Sequence, residues 1–283
     1  MSAQLKQPVG SLLYGQSWDE YRAIKALNNS TLKHIDVSGA HYQENLRNPT
    51  ETDALRLGIA AHCLVLEPRR YDKEFAVWRR RGESGSSAPR RGQHWEAFVR
   101  DWPGRTIITE DQETDALTMQ SAIYRCKEAV EYLSFGDPEV TMQCLMHGRS
   151  FKGRLDWLTK LGSAIALVGI KTAADIRLDG FSRAAARLLY HCQWALYFDL
   201  YEAITGVRPV EVVEIVVEKS PPNDVVVYVI GDDVLKVGRA KYLELLQKLD
   251  QCERDNQWPG VAGGAGKQIF ALPSYMYDDE IYA

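Results

Sequence analysis

The chain contains no run of about 18 consecutive apolar residues, so no membrane-spanning helix is expected. It also lacks paired cysteines. Cys63, Cys126, Cys144, Cys192 and Cys252 are odd in number, scattered, and in no CxxC pair. That argues against a disulfide framework or a zinc knuckle and fits a reducing cytosol. The start, MSAQLKQPVG, has no basic region followed by an apolar one, so no secretion signal is expected and a cytoplasmic location is the reading. An excess of positive charge is missing as well. The formal net charge is −4, so any nucleic-acid role must rest on a local basic patch. No internal repeat and no domain linker stand out.

What remains is an ordinary globular composition over 283 residues, long enough to bury a substantial core without staples. Asn29-Ser30-Thr31 forms an N-cap cluster before Leu32 and Ile35. A helix is predicted from Thr52 to Leu66, where Leu55, Ile59, His62 and Leu66 share one face, and Glu67-Pro68 ends it. Residues 79–94, RRRGESGSSAPRRGQH, read as a mobile basic loop. Trp95–Trp102 and Asp111–Leu133 read as helices. From residue 138 the period changes to two, predicting strands at Glu139–His147, Phe151–Thr159 and Ala164–Thr172, the last two joined as a hairpin through Gly162-Ser163. One long helix is predicted over Phe181–Thr205, strands at Val210–Glu218 and Val225–Ile230, and a last helix over Asp232–Asp255. A Gly-rich tail, 260–283, wraps the surface. The expectation is one α/β domain, 1–283, with a central mixed β-sheet flanked by helices.

The chemistry concentrates in residues 151–201. Side chains alternate faces along a strand, so Lys152, Arg154 and Asp156 share one face, and Leu167, Gly169 and Lys171 share another. The hairpin brings Asp156 beside the 169–171 segment. A carboxylate, an empty position and a lysine then lie on adjacent strands. Hard oxygen ligands of this kind suit Mg²⁺, which activates water and stabilises a leaving oxygen in phosphodiester hydrolysis. His62 lies on the inner face of its helix. Gln193 and Tyr197 lie one turn apart and point the same way. The cluster Arg79, Arg80, Arg81, Arg90 and Arg91 reads either as a solvated loop or as a phosphate clamp, and Arg154 joins the DNA-binding candidates.

These segments resemble the RecE-type exodeoxyribonuclease VIII branch of the PD-(D/E)XK nucleases, a phage and prophage group with a restriction-endonuclease-like core. LGIAAHCLVLEP (57–68), GRLDW (153–157), GIKT (169–172), YHCQ with Tyr197, and EKSPP (218–222) match five ordered motifs of that branch over about residues 18–260. The resemblance implies Asp156 as the main metal ligand and His62 as a second ligand or orienter. It implies a ligand in the Ile170 carbonyl, Lys171 as catalytic lysine, and Gln193 and Tyr197 orienting the DNA backbone. It further implies Mg²⁺ or Mn²⁺ and 5′→3′ digestion of double-stranded DNA ends. A ring-like homo-oligomer (trimer or tetramer) and a RecT-like single-strand annealing partner complete the picture.

The departure is Gly169, which stands where the branch has its second acidic ligand. Glycine weakens a strand and needs a reason, a β-bulge being the plainest. The chain reads as an inactive or attenuated nuclease, by nature or by a deliberate change, or else another acid (Asp175, Glu67 or Asp199) migrates in. Loss of a ligand carboxylate would remove metal affinity and most of the rate. The rival expectations are a non-catalytic DNA-end-binding or recombination-scaffold protein on the same fold, and a protein-interaction module that blocks a host nuclease.

Overall fold

A computed structural model describes residues 10–49, 52–79, 88–162, 164–263, 267 and 269–271. Arg80 and Arg81, and most of the 260–283 tail, lie outside the described residues. The chain opens with β1 (Gly10–Leu13), α1 (Trp18–Ala23), α2 (Asn29–Leu32), α3 (Gly39–Arg47) and α4 (Asp53–Leu66). It continues through α5 (Tyr71–Glu74), β2 (Phe75–Trp78), α6 (Gln93–Asp101), β3 (Thr106–Thr109), α7 (Glu110–Arg125) and α8 (Lys127–Leu133). The meander at the centre is β4 (Gly136–Met146), β5 (Arg149–Leu161) and β6 (Ala164–Ala173). Then come α9 (Leu178–Arg187), α10 (Tyr190–Thr205), β7 (Glu211–Glu218), β8 (Val225–Val229) and α11 (Asp232–Asp255).

The main sheet runs β1-β4-β5-β6-β7-β8. All its neighbours are antiparallel except β6 and β7, which α9 and α10 connect as a parallel crossover. The expected central mixed sheet flanked by helices is therefore present. One face carries α4, α7 and α8, with Ala60, Leu64, Met119, Ile123, Val213 and Ile215 in its core. The other carries α10 and α11, with Phe151, Leu167, Leu196, Leu200, Val212 and Tyr242. Alternating residues of β7 feed both cores, so this strand is buried on both sides.

Local chemistry explains most boundaries. Thr52 caps α4 by accepting from the Leu55 amide at 3.1 Å, and Pro68 ends it. At the start of α7, Thr109 and Gln112 form a reciprocal capping box. The N-cap of α2 is Asn28, one residue ahead of the expected cluster, because its side chain accepts from the Thr31 amide.

Two expected helices are each broken. Asp111–Leu133 is α7 and α8, parted at an extended Cys126. The turn lets α8 lie on β5, where the Thr159 hydroxyl donates to the Tyr132 carbonyl at 2.7 Å. Phe181–Thr205 is α9 and α10, parted where Leu189 enters the left-handed region at φ 57°. After that break α10 crosses β4 and β5, while Phe181 on α9 stacks on Tyr228 of β8. Apolar periodicity runs through both breaks, which is why neither shows in the pattern. A small parallel pair, β2 with β3, was not expected at all.

The packing of α10 on α11 depends on Gly238. A Cβ there would collide with the His191 carbonyl and press on Ala195. Gly238→Ala is expected to lose about 2 kcal/mol despite alanine's better helix propensity, read as a lower urea midpoint. A gain in stability would show that the two helices can slide apart freely. Among the described residues, no helix is long and apolar enough to cross a membrane.

Candidate active site

The β5–β6 ladder stops at Trp157 opposite Val168. Beyond it, among the described residues, β5 pairs with β4 and bridges Leu27 at Phe151, while β6 pairs with β7. Asp156, Gly169, Ile170 and Lys171 stand at this fork. A fork leaves backbone groups without strand partners, and buried ones must be satisfied some other way. The Ile170 amide donates to Asp156 Oδ2 at 2.7 Å, and the Arg154 amide donates to the Tyr197 hydroxyl at 3.3 Å. The same opening admits side chains from both helical layers: His62 from α4, and Gln193 and Tyr197 from α10.

The predicted residues therefore meet. His62 Nδ1 is 3.8 Å from Asp156 Oδ2, and Lys171 Nζ is 3.9 Å from the same oxygen. Lys171 Nζ also donates to the Ile170 carbonyl at 3.3 Å. Burial pushes the His62 imidazole below its ordinary value, and Lys171 adds to this, while Asp156 and the Ile170 carbonyl oppose it. A neutral imidazole is the form that binds a metal. Burial works against the Lys171 ammonium, but the carboxylates of Glu214 and Asp156 more than offset that and hold its pKa above the usual lysine range. A cavity of about 20 Å³, roughly one water molecule's worth of space, is lined by Asp156, Gly169, Lys171, Gln193, Tyr197 and Glu214.

Two carboxylates here were missing from the sequence reading. Glu139 on β4 lies across from Asp156, between the pairs Pro138–Trp157 and Val140–Leu155, with a left-handed φ of 51°. Ligand atoms of His62, Glu139 and Asp156 all lie within 4.8 Å of one another. Arg154 Nε donates to Glu139 Oε2. Glu214 on β7 is the register partner of Gly169. Its Oε1 is 3.3 Å from Lys171 Nζ, and its Oε2 accepts from Trp194 Nε1. A charged residue inside VVEIVVE was the available signal, since a strand of buried β-branched residues does not hold a lone carboxylate without a partner.

The acids first considered for position 169 are engaged elsewhere. Asp175 pairs with Arg177 at 2.7 Å, Asp199 pairs with Arg239 and the Tyr242 hydroxyl, and Glu67 pairs with Arg70 at 2.7 Å while its Oε2 also stands 3.9 Å from Arg154. Arg154 is a correction to the DNA-binding set. Its side chain is 3% exposed and braces Glu139 from within, because the inner face of β5 is covered by α1. Arg79 pairs with Glu113 at 2.7 Å and Arg90 with Asp53, tying the ends of the basic segment to α7 and α4. Arg91 is exposed.

Burial, and then the neighbouring Asp156, raise the Glu139 carboxyl to about 7, with Arg154 opposing. A raised carboxyl value favours folding below the unfolded value of about 4.5, and that contribution is lost as pH climbs to about 7. In chelator, the native chain is expected to lose up to about 3 kcal/mol across that window relative to Glu139→Gln. Urea titrations at pH 4.5 and 7.5 measure it, and parallel curves for the two proteins would remove Glu139 from the electrostatics of the site.

The sequence matches, over residues 28–267, a family described as a PDDEXK-like domain of unknown function. The chain belongs to this family. The mixed sheet flanked by helices is the fold expected of a PDDEXK-like domain. No curated protein matches the chain. Among solved structures, a protein of Eubacterium rectale provisionally named an exonuclease has a TM-score of 0.59 at 14% identity, covering 94% of this chain and 96% of that one. At that identity the likeness is one of fold. A protein of Vibrio cholerae, TM-score 0.26 and 12% identity over 88% of this chain and 60% of that one, is too distant in shape to add to it.

Proposed function

We propose that this PDDEXK-like protein is a divalent-metal-dependent nuclease that digests double-stranded DNA from an end, 5′→3′. The observation that carries the reading is the convergence of His62, Glu139, Asp156, the Ile170 carbonyl and Lys171 at one fork of the sheet. The donor set is one neutral imidazole and hard oxygens, which suits Mg²⁺ or Mn²⁺. His62, Asp156, Glu139 and the Ile170 carbonyl would hold the ion, and when bound it would supply an activated water and charge stabilisation.

The remaining steps belong to the chain's own side chains. Lys171, kept protonated by two carboxylates, presents a positive charge where the phosphorane gains negative charge. Tyr197, anchored to the Arg154 amide, and Gln193 beside it line the cavity and orient the scissile backbone. The ordered motifs also support 5′→3′ polarity, a ring-like homo-oligomer enclosing DNA, and a role beside a RecT-like annealing protein in recombination.

The test is digestion of a linear duplex labelled at the 5′ end or the 3′ end, beside a covalently closed circle, with Mg²⁺ or Mn²⁺. Mononucleotides are expected from the 5′-labelled end, with the circle intact. Salt-dependent duplex binding without any release would sink the enzyme reading in favour of a DNA-end-binding scaffold.

A further inference from the structure

Gly169 and Glu214 face one another across the parallel β6–β7 pair. A Cβ built on Gly169 would stand 2.5 Å from Glu214 Oε1, 2.8 Å from Oε2 and 2.9 Å from Cδ, closer than side-chain carbons approach one another. The Glu214 carboxylate thus fills the foot of the space that an acidic side chain at 169 would occupy. Adjacent strands are about 4.8 Å apart, and glutamate's extra methylene takes up part of that distance. Glycine at 169 is what lets this carboxylate in.

Three further observations show where the carboxylate is directed. The Glu214 side chain is 1% exposed, and its Oε1 accepts no hydrogen bond. Glu214 lines the same small cavity as Asp156 and Lys171. The Lys171 ammonium stands 3.3 Å from Glu214 and 3.9 Å from Asp156, so a cationic group already bridges the two acids.

We propose that Glu214 is the relocated second acid of this site, ligating a divalent cation through Oε1 together with Asp156, in place of the carboxylate that position 169 lacks. This rests on the nuclease reading. It replaces an incomplete site with one whose acid has moved to the neighbouring strand, and Gly169 and Glu214 become a reciprocal pair. The pair makes a specific statement about substitution: Gly169→Asp does not improve the native chain, because its Cβ meets Glu214 and adds a further carboxylate to a crowded fork.

The experiment measures Mn²⁺ binding by calorimetry and Tb³⁺ luminescence excited through tryptophan, Trp194 lying against Glu214. Four proteins are compared, each checked by thermal melting. The native chain is expected to bind both ions. Glu214→Gln is expected to bind Mn²⁺ at least about tenfold more weakly and to lose most of the sensitised emission. Gly169→Asp is expected to show no gain. The double variant Gly169→Asp with Glu214→Ala is expected to recover Mn²⁺ affinity to within about threefold of native. The double variant also restores a partner for Lys171, so it answers the question if Glu214→Gln folds poorly.

Native-like Mn²⁺ affinity in Glu214→Gln, or a double variant that binds Mn²⁺ no better than Glu214→Gln, overturns the relocation. If the native chain cleaves duplex ends while Glu214→Gln binds Mn²⁺ normally, only the relocation falls. If the native chain neither binds Mn²⁺ nor cleaves, both readings fall together.

Discussion

Asp156→Asn is expected to lower DNA-end digestion by about 10³-fold while leaving the chain folded. The residue has two separable jobs. Its Oδ2 accepts the Ile170 amide at 2.7 Å, which closes the backbone at the fork. Its charge sits among His62 Nδ1 at 3.8 Å, Lys171 Nζ at 3.9 Å and the Glu139 carboxyl. An asparagine keeps the shape and still offers a carbonyl oxygen to the Ile170 amide, so the backbone bond survives. The charge does not, and with it go the main attraction for a divalent cation and part of the field that, with Glu214, holds Lys171. Removing Asp156 also relieves the repulsion that helps raise the Glu139 carboxyl, so that group should titrate nearer the ordinary glutamate range. The expected signature is therefore a melting temperature equal to or slightly above native, weakened Mn²⁺ binding, and near-complete loss of 5′-end release. Digestion at the native rate by a well-folded Asp156→Asn protein would place the chemistry somewhere else.

Much of this arrangement is legible in the sequence. The hairpin of β5 and β6, the helix carrying His62, the one-turn spacing of Gln193 and Tyr197, and α11 from Asp232 to Asp255 all follow from periodicity and caps. These are local signals, and local signals survive in sequence. Glu139 and Glu214 were missed because their roles depend on register. Glu214 reaches the site only because β6 and β7 pair in parallel with Gly169 opposite it, 45 positions away along the chain. Glu139 reaches it only because β4 pairs with β5 in the register that sets it opposite Asp156, on a backbone that turns left-handed there. Neither relation has a sequence period. Arg154 shows the reverse error. Alternation placed it on a face with Asp156, but α1 covers that face, with Trp18 stacking on its guanidinium. The apparently vacant acid position likewise came from reading a motif along one strand, when the space beside Gly169 is supplied by the next strand.

Lys171→Met separates the stability of this site from its chemistry. Among the described residues the native ammonium is the cation paired with Glu214, whose side chain is 1% exposed and also accepts from the Trp194 indole. Removing it leaves a carboxylate buried without a counter-charge, and losses of about 3–5 kcal/mol are usual for that change. Burial already raises the Glu214 carboxyl, with Lys171 opposing, so its removal raises the value further. The sign of the pH dependence follows. The unfolded chain ionises Glu214 near pH 4.5 and the folded variant does not, so the cost of Lys171→Met grows as pH rises above about 4.5. Below that, both states hold the proton and the cost shrinks to lost packing. Adding Glu214→Gln to Lys171→Met removes the buried charge and is expected to return most of the stability at pH 7.5. It is not expected to return digestion, because the positive charge facing the phosphorane is still gone. Urea midpoints at two pH values, with 5′-end release, on the native chain, Lys171→Met and the double variant read both quantities. A Lys171→Met protein as stable as native at pH 7.5 would show that Glu214 is neutral in the resting fold, and the ion pair with Lys171 would lose its place in the account of the site.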